Sequence, residues 1–269
     1  MPELSGLGKE SRKQLRDVLV ATQGTITVEQ AAKALKLPLD KTAKLLSRWS
    51  KQGWLRRVRR GLYVPVPLEA ASPEIAIEDP WIIAENLFAP CYVGGWTAAE
   101  YWDLTEQIFN AIVVLTTTKP RDRKPVIAGI NFFLKTIASE CLFGTKPVWR
   151  GKTKVQVSDP GRTIIDLLDD PRLGGGIRPC YDIMVSYLNS ENKNIPLLLE
   201  YAEKLGNGAV FKRMGYLIER VLPEEKEFLS QCLSRMTKGK SKLDPSLPGD
   251  RLVTKWQLWV PDSWKEEDK

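Results

Sequence analysis

The chain contains no histidine among its 269 residues. That absence removes Ser-His-Asp and Cys-His nucleophilic sites, and any histidine-ligated zinc or iron centre. Cysteine is sparse: Cys91, Cys141, Cys180 and Cys232 lie far apart and form no C-x-x-C pair. Such spacing excludes a zinc ribbon and is too thin for a disulfide scaffold, so reduced core thiols of a cytoplasmic protein are expected. Long apolar runs are missing as well. Uncharged stretches such as Leu87–Ala99 are too short to span a bilayer, and Met1–Lys13 lacks the apolar centre of a signal peptide. No internal repeat of fixed period is present.

What the chain does have is base. Lys and Arg number 40 against 33 Asp and Glu, a net charge of +7. The excess is local. Residues 1–67 hold 14 bases and 5 acids, a balance of +9, and the remaining residues hold 26 bases and 28 acids, a balance of −2. A basic module attached to a near-neutral body points to nucleic acid as the partner of the first quarter.

That quarter reads as a winged helix-turn-helix. A first helix covers 9–22, with Leu15, Val18, Leu19 and Thr22 on one face. Thr27 caps a second helix with Gln30 as its capping-box partner, and Val28, Ala31, Ala32 and Leu35 turn inward. Lys36-Leu37-Pro38-Leu39 is a tight turn, after which Asp40 caps a third helix running to Gln52 and ended by Gly53. On this helix Leu39, Ala43, Leu46 and Trp49 make an inward stripe. Lys41, Lys44, Arg48 and Lys51 form a basic stripe, flanked by the hydroxyls of Thr42 and Ser47. Leu55, Leu62 and Val64 anchor a following hairpin whose tip is Arg59-Arg60-Gly61. Its arginines, Arg56, Arg57, Arg59 and Arg60, are placed to follow a phosphate backbone or enter a minor groove. The expected DNA-binding set is therefore Lys41, Thr42, Lys44, Ser47, Arg48, Lys51, Arg56, Arg57, Arg59 and Arg60.

The fold class expected is α+β: the winged helix over 1–67, a proline-rich linker over 68–80, a mixed α/β domain over 81–190, and a helical region over 191–269 with a final strand. Pro80 opens a helix, and Thr97-Ala98-Ala99-Glu100 reads as a capping box. Ala111–Thr117, Ile130–Thr136 and Lys154–Val157 read as strands, and Asp159-Pro160-Gly161-Arg162 turns into an apolar helix. Helices are expected near 196–205, 208–221 and 223–236. A basic flexible loop follows at Lys238–Lys242, and a last strand at Leu252–Val260.

The motifs occur in a recognisable order. Arg60-Gly61-Leu62-Tyr63-Val64 ends the wing. Tyr92-Val93-Gly94-Gly95-Trp96-Thr97-Ala98-Ala99, a strand ending Thr116-Thr117, Val157-Ser158-Asp159-Pro160-Gly161-Arg162-Thr163-Ile164-Ile165-Asp166, and Phe211-Lys212-Arg213-Met214-Gly215-Tyr216-Leu217 follow. Over nearly its full length the chain resembles the AbiEi family, the antitoxins of type IV toxin–antitoxin systems. The resemblance implies an autorepressor whose winged helix binds inverted repeats in its own promoter. It implies a C-terminal region that counteracts an AbiEii-like nucleotidyltransferase toxin without a stable complex. By position it assigns DNA contact to Lys41, Thr42, Lys44, Ser47 and Arg48 on the third helix and to Arg56, Arg57, Arg59 and Arg60 on the wing. It supplies no catalytic residue, cofactor or metal, so no enzyme is expected. The tail after Lys238 departs from the family pattern.

Other readings compete. Asp166 with Glu191-Asn192-Lys193 matches the D…E-x-K spacing of metal-dependent nucleases, although Asp166 falls in an apolar helix pattern and Glu191 in a polar loop. Gly94-Gly95 and Gly174-Gly175-Gly176 read as turns rather than phosphate loops. Arg121, Arg123 and Lys124 form a second basic cluster, either a solvated loop or a secondary phosphate contact. The nine tryptophans read as packing more than as base-stacking platforms. A stand-alone winged-helix transcription factor with a ligand-sensing α/β body is the alternative function. With no heptads to hold a preformed dimer, a monomer or weak dimer that binds paired half-sites cooperatively is expected.

Overall fold

The computed structural model describes residues 6–22, 25–66, 79–127, 129–151 and 153–267. The expected linker falls outside the described residues as far as residue 78.

Helix α1 (Lys9–Ala21) turns Leu15 and Val18 into the first core, while Leu19 stays partly exposed. Strand β1 (Ile26–Thr27) leads into α2 (Val28–Leu35), whose capping box is formed as expected: the Thr27 hydroxyl accepts from the Gln30 N–H at 3.1 Å, and the Gln30 side chain accepts from the Thr27 N–H at 3.0 Å. Lys36 takes the left-handed conformation, and the chain turns into α3 (Leu39–Lys51). Asp40 is not the cap of α3. Pro38 occupies that position with extended backbone, and Asp40 sits in the first turn, where a carboxylate still favours the positive helix end. Strands β2 (Leu55–Arg59) and β3 (Leu62–Pro65) complete a three-stranded sheet in the order β1-β3-β2. Trp49 and Leu46 are fully buried against Leu15, Val18, Ile26, Leu55 and Tyr63. Burying a side chain such as Leu46 stabilises the unit by about 1.5–3 kcal/mol.

The body begins with α4 (Pro80–Phe88), capped by the Asp79 carboxylate, which accepts from the Trp81 N–H at 2.9 Å. It is built on a six-stranded mixed sheet in the order β6-β7-β5-β4-β9-β8. Of these strands, β5 (Ala111–Thr116) and β7 (Ile130–Thr136) fall where β-branched and aromatic runs placed them, and β9 (Thr153–Ser158) where alternation did. β4 (Cys91–Val93), β6 (Val126–Ile127) and β8 (Thr145–Arg150) are additional. Parallel pairing joins β5 to β7 and β4 to β9, and the other neighbours are antiparallel. Helix α5 (Gly95–Tyr101) starts before the supposed capping box. Thr97 lies inside it, and its hydroxyl accepts the Val113 N–H at 3.0 Å, tying the helix to β5 instead.

Helix α4 covers one sheet face, packing Ile83, Ala84 and Phe88 on Val114, Phe132 and Leu134. The opposite face carries α6 (Pro160–Asp169) and α7 (Ile177–Asn189). Behind them lie α8 (Ile195–Leu205), α9 (Gly208–Val221) and α10 (Lys226–Arg235), close to the helices expected. One cluster of buried residues runs from Tyr92 to Trp264 and crosses residue 190. Two C-terminal expectations are corrected. Lys238–Lys242 is not a free loop: Lys212 donates to the Gly239 carbonyl, and β10 (Ser241–Lys242) pairs with β12 (Leu258–Val260). Leu252–Val260 is not one strand but a hairpin of β11 (Arg251–Val253) and β12 around a 3-10 turn at Thr254–Trp256. Arg213 holds this subdomain in place. Its guanidinium donates to the Leu168 carbonyl at 2.7 Å and the Lys242 carbonyl at 2.9 Å, joining the end of α6 to the tail.

The architecture is α+β: an N-terminal winged helix followed by a mixed α/β body with a helical C-terminal part.

Candidate nucleic-acid interface

The third helix divides its surface by period. Thr42, Leu46 and Trp49 recur at spacings of four and three and are buried. Lys41, Lys44, Arg48 and Lys51 are exposed, Ser47 half-exposed. Thr42 is therefore a correction to the expected DNA-binding set. Its side chain is fully buried, and its hydroxyl donates to the Pro38 carbonyl at 3.0 Å, which satisfies a helix-entry acceptor rather than facing a ligand. Leu39, assigned to the inward stripe, is 54% exposed.

The hairpin completes the surface. Gly61 sits at its tip with φ +81°, a conformation that suits glycine, and its carbonyl accepts the Val28 N–H at 3.3 Å. That contact ties the wing tip to the start of α2. A bulge between Arg57 and Arg59 shifts the β2–β3 register, so that Arg57 lies opposite Tyr63 and Arg59 opposite Leu62. As a result Lys44, Ser47, Arg48 and Lys51 of α3 meet Arg57 and Arg60 of the wing around one concavity of about 580 Å³. Lys41 is exposed on the same helix, outside that lining, and Arg56 is half-buried with an interaction of its own. The side chain of Arg59 lies outside the described residues.

Three contributors were not anticipated. Tyr63 and Val28 line the concavity, and Ser11 on α1 accepts from Arg48 at 3.3 Å. That bond fixes the tilt of one base from a neighbouring helix. Only the alternation of β3 hinted at Tyr63, and nothing local marks Ser11. Among the described residues, no carboxylate pairs with Lys41, Lys44, Arg48 or Lys51. Exposed cations, one group on a helix and one on a hairpin, are equipped to displace counterions from a phosphate backbone.

The other sequence candidates lie elsewhere. Arg121, Arg123 and Lys124 are exposed on the β5–β6 connection, and Arg123 and Lys124 line a separate groove on the body. Asp166 is buried in α6, where the Tyr92 hydroxyl donates to its carboxylate at 2.9 Å and Arg162 pairs with it at 3.0 Å. Glu191 and Lys193 are exposed between α7 and α8. No three His, Cys, Asp or Glu side chains among the described residues gather to hold a metal. At Gly174–Gly176, the first N–H of α7 is taken by the Asp244 carboxylate at 2.9 Å. Trp49, Trp256 and Trp264 are core residues.

Residues 13–66 match the family model of a transcriptional regulator, the AbiEi antitoxin. The match covers α1 through the wing, the segment that carries the basic concavity. The resemblance read from the motifs is thus supported over the N-terminal unit, which is similar to the AbiEi transcriptional regulators; the later motifs lie outside the matched residues. The whole fold is similar to the crystal structure of RV2827C protein from Mycobacterium tuberculosis. The TM-score is 0.60 at 14% identity, over 96% of this chain and 94% of that one. At that identity the likeness is one of fold. No curated protein sequence matches the chain. Among the described residues no helix is long and apolar enough to cross a membrane.

Proposed function

We propose that the chain is a sequence-specific DNA-binding autorepressor that also acts as an antitoxin against a nucleotidyltransferase toxin. The observation that carries the DNA part is the convergence of Lys44, Ser47, Arg48 and Lys51 with Arg57 and Arg60 around one concavity, within a segment matching the AbiEi regulators. In this reading α3 enters a major groove, where Arg48 and Lys44 contact phosphates or guanine edges, and the wing follows the adjacent backbone. Two copies occupy an inverted repeat in the chain's own promoter as a monomer or weak dimer. The body opposes the toxin without forming a lasting complex, and no catalytic step or cofactor is needed.

The test uses the full chain. Fluorescence anisotropy with its upstream DNA should show tight binding at low salt and a steep loss as salt rises. Lys44→Ala/Arg48→Ala should weaken that binding. Equal affinity for an unrelated duplex would overturn sequence-specific repression. For the antitoxin part, co-expression with the nucleotidyltransferase encoded beside it should restore growth, and continued arrest would remove that role.

A further inference from the structure

Strand β7 has two different faces. Phe132 and Leu134 point into the core beneath α4, each 1% exposed. Asn131, Phe133 and Lys135 point the other way, as alternation requires. They line a groove of about 740 Å³, within the range of small-ligand sites.

The wall of this groove is aromatic and ordered. Phe109 stacks on Trp96 with centroids 4.7 Å apart and planes 7° from parallel. Phe133 continues the series, 5.9 Å from Trp96 at 30°. The Trp96 indole N–H is held by the Ala111 carbonyl at 2.6 Å, which fixes the plane of the middle ring. Four cationic side chains and one carboxylate line the groove. Lys135 and Arg172 are engaged by Asp170. Arg123 and Lys124 are exposed and have no ion-pair partner among the described residues. The Lys124 ammonium lies over the Phe133 ring, 5.5 Å from its centre, so cation and ring share one end of the groove. In the same lining, the Asn131 amide N–H donates to the Asn110 carbonyl at 3.0 Å, which orients the amide and leaves its oxygen as an acceptor.

The outer surface of an aromatic wall accepts a flat aromatic group, two exposed cations accept phosphate, and an oriented amide reads a polar ring edge. One ligand chemistry satisfies all three. We propose that this groove binds a nucleotide, with its base against the Trp96–Phe133 wall and its phosphates at Arg123 and Lys124. The ligand is either a free nucleotide or the exposed end of a single RNA strand. This site is separate from the winged helix and does not depend on the repressor reading.

Isothermal titration of the full chain with ATP, GTP, CTP and UTP, and with a short single-stranded oligoribonucleotide, tests it. At least one should bind, and inorganic triphosphate should bind about tenfold more weakly or worse, since it lacks the base. Arg123→Ala/Lys124→Ala, on an exposed connection, and Phe133→Leu, which keeps an apolar side chain but removes the ring, should each weaken binding by about tenfold or more. Their circular dichroism spectra and melting should show that the fold is kept. Lys44→Ala/Arg48→Ala should leave nucleotide binding intact, which separates this site from the DNA surface. Saturation by mononucleotides identifies a free nucleotide as the ligand, and binding of the oligonucleotide alone identifies an RNA end. No binding of any of these, equal affinity for inorganic triphosphate, unchanged affinity in both groove variants, or loss only in the α3 variant would each overturn the proposal.

Discussion

Arg162 and Asp166 face each other one turn apart on α6 at 3.0 Å, with side chains 0% and 2% exposed. The Tyr92 hydroxyl bridges them, accepting from Arg162 at 3.0 Å and donating to Asp166 at 2.9 Å. Burial, and then the Asp166 charge, hold the Tyr92 hydroxyl well above its ordinary range, so it remains a donor. The Arg162 guanidinium also lies 4.0 Å from the centre of the Phe143 ring. The three residues come from two of the sequence motifs, and here they form one buried structural network. Asp166→Ala strands a buried cation and should cost about 3–5 kcal/mol in urea unfolding. Replacing both partners, as Arg162→Met/Asp166→Leu, should cost less than the single change. A single variant as stable as the parent would show that the pair contributes nothing.

The two sides of α3 predict opposite phenotypes. Thr42→Val removes a buried hydroxyl bonded to the Pro38 carbonyl and should lower stability by about 0.5–2 kcal/mol while leaving DNA affinity unchanged. Lys44→Ala/Arg48→Ala should leave the melting temperature nearly unchanged. It should reduce the slope of log affinity against log salt by about 2, one for each lost phosphate contact. Anisotropy titrations at several salt concentrations, paired with thermal melts, measure both. Weaker DNA binding by Thr42→Val at full stability would return Thr42 to the interface.

Asp170 should supply part of the acid limb of stability. Burial alone would raise its carboxyl. The hydrogen bonds from Arg172, with the charges of Lys135 and Arg172, more than offset that and set it below the usual range. A carboxyl lowered on folding stabilises the protein above its unfolded-state value, and that contribution disappears as pH falls through its folded-state value. Asp170→Asn should therefore reduce stability at neutral pH and flatten the decline below about pH 4. Parallel pH profiles of parent and variant would refute the assignment.

Thiol chemistry should single out one cysteine of four. Cys91, Cys180 and Cys232 are buried, and burial raises all three thiols, Cys232 up to about 12. Cys141 is only half-buried, in a short 3-10 turn between β7 and β8. Iodoacetamide applied to the native protein should label Cys141 first, and Cys141→Ser should abolish the fast phase seen by mass spectrometry. Rapid labelling of any of the other three would contradict the core described here.

Much of this was legible in the chain, and the exceptions have physical reasons. The basic stripe of α3 follows from helical period alone, and the capping box at Thr27 from the local Thr-x-x-Gln spacing. A hydroxyl beside lysines reads as a ligand, yet Thr42 lies on the buried face with Leu46 and Trp49, which Leu39 and Ala43 flank. Thr97 has the spacing of a cap, but its hydroxyl serves a strand N–H, a tertiary partner that local sequence does not display. Strand β8 escaped notice because it is a sheet edge: Pro147 and the exposed Lys146 and Trp149 hide its alternation. The groove on β7 draws on segments from Trp96 to Arg172, whose meeting depends on sheet order. The alternation Asn131-Phe133-Lys135 was visible, but which layer would stop short of it was not.

Val58, between the wing arginines, packs against the cluster that α4 forms with Phe132 and Leu134. The hairpin is therefore braced from behind by the sheet whose other face carries the aromatic wall. A wing so mounted cannot shift its angle without disturbing the layer beneath it. If DNA engages the hairpin and a ligand engages the β7 groove as proposed, any coupling between the two sites is reciprocal, and this contact is a physical route for it. Val58 is thus the side chain that ties the back of the wing to the core of the body.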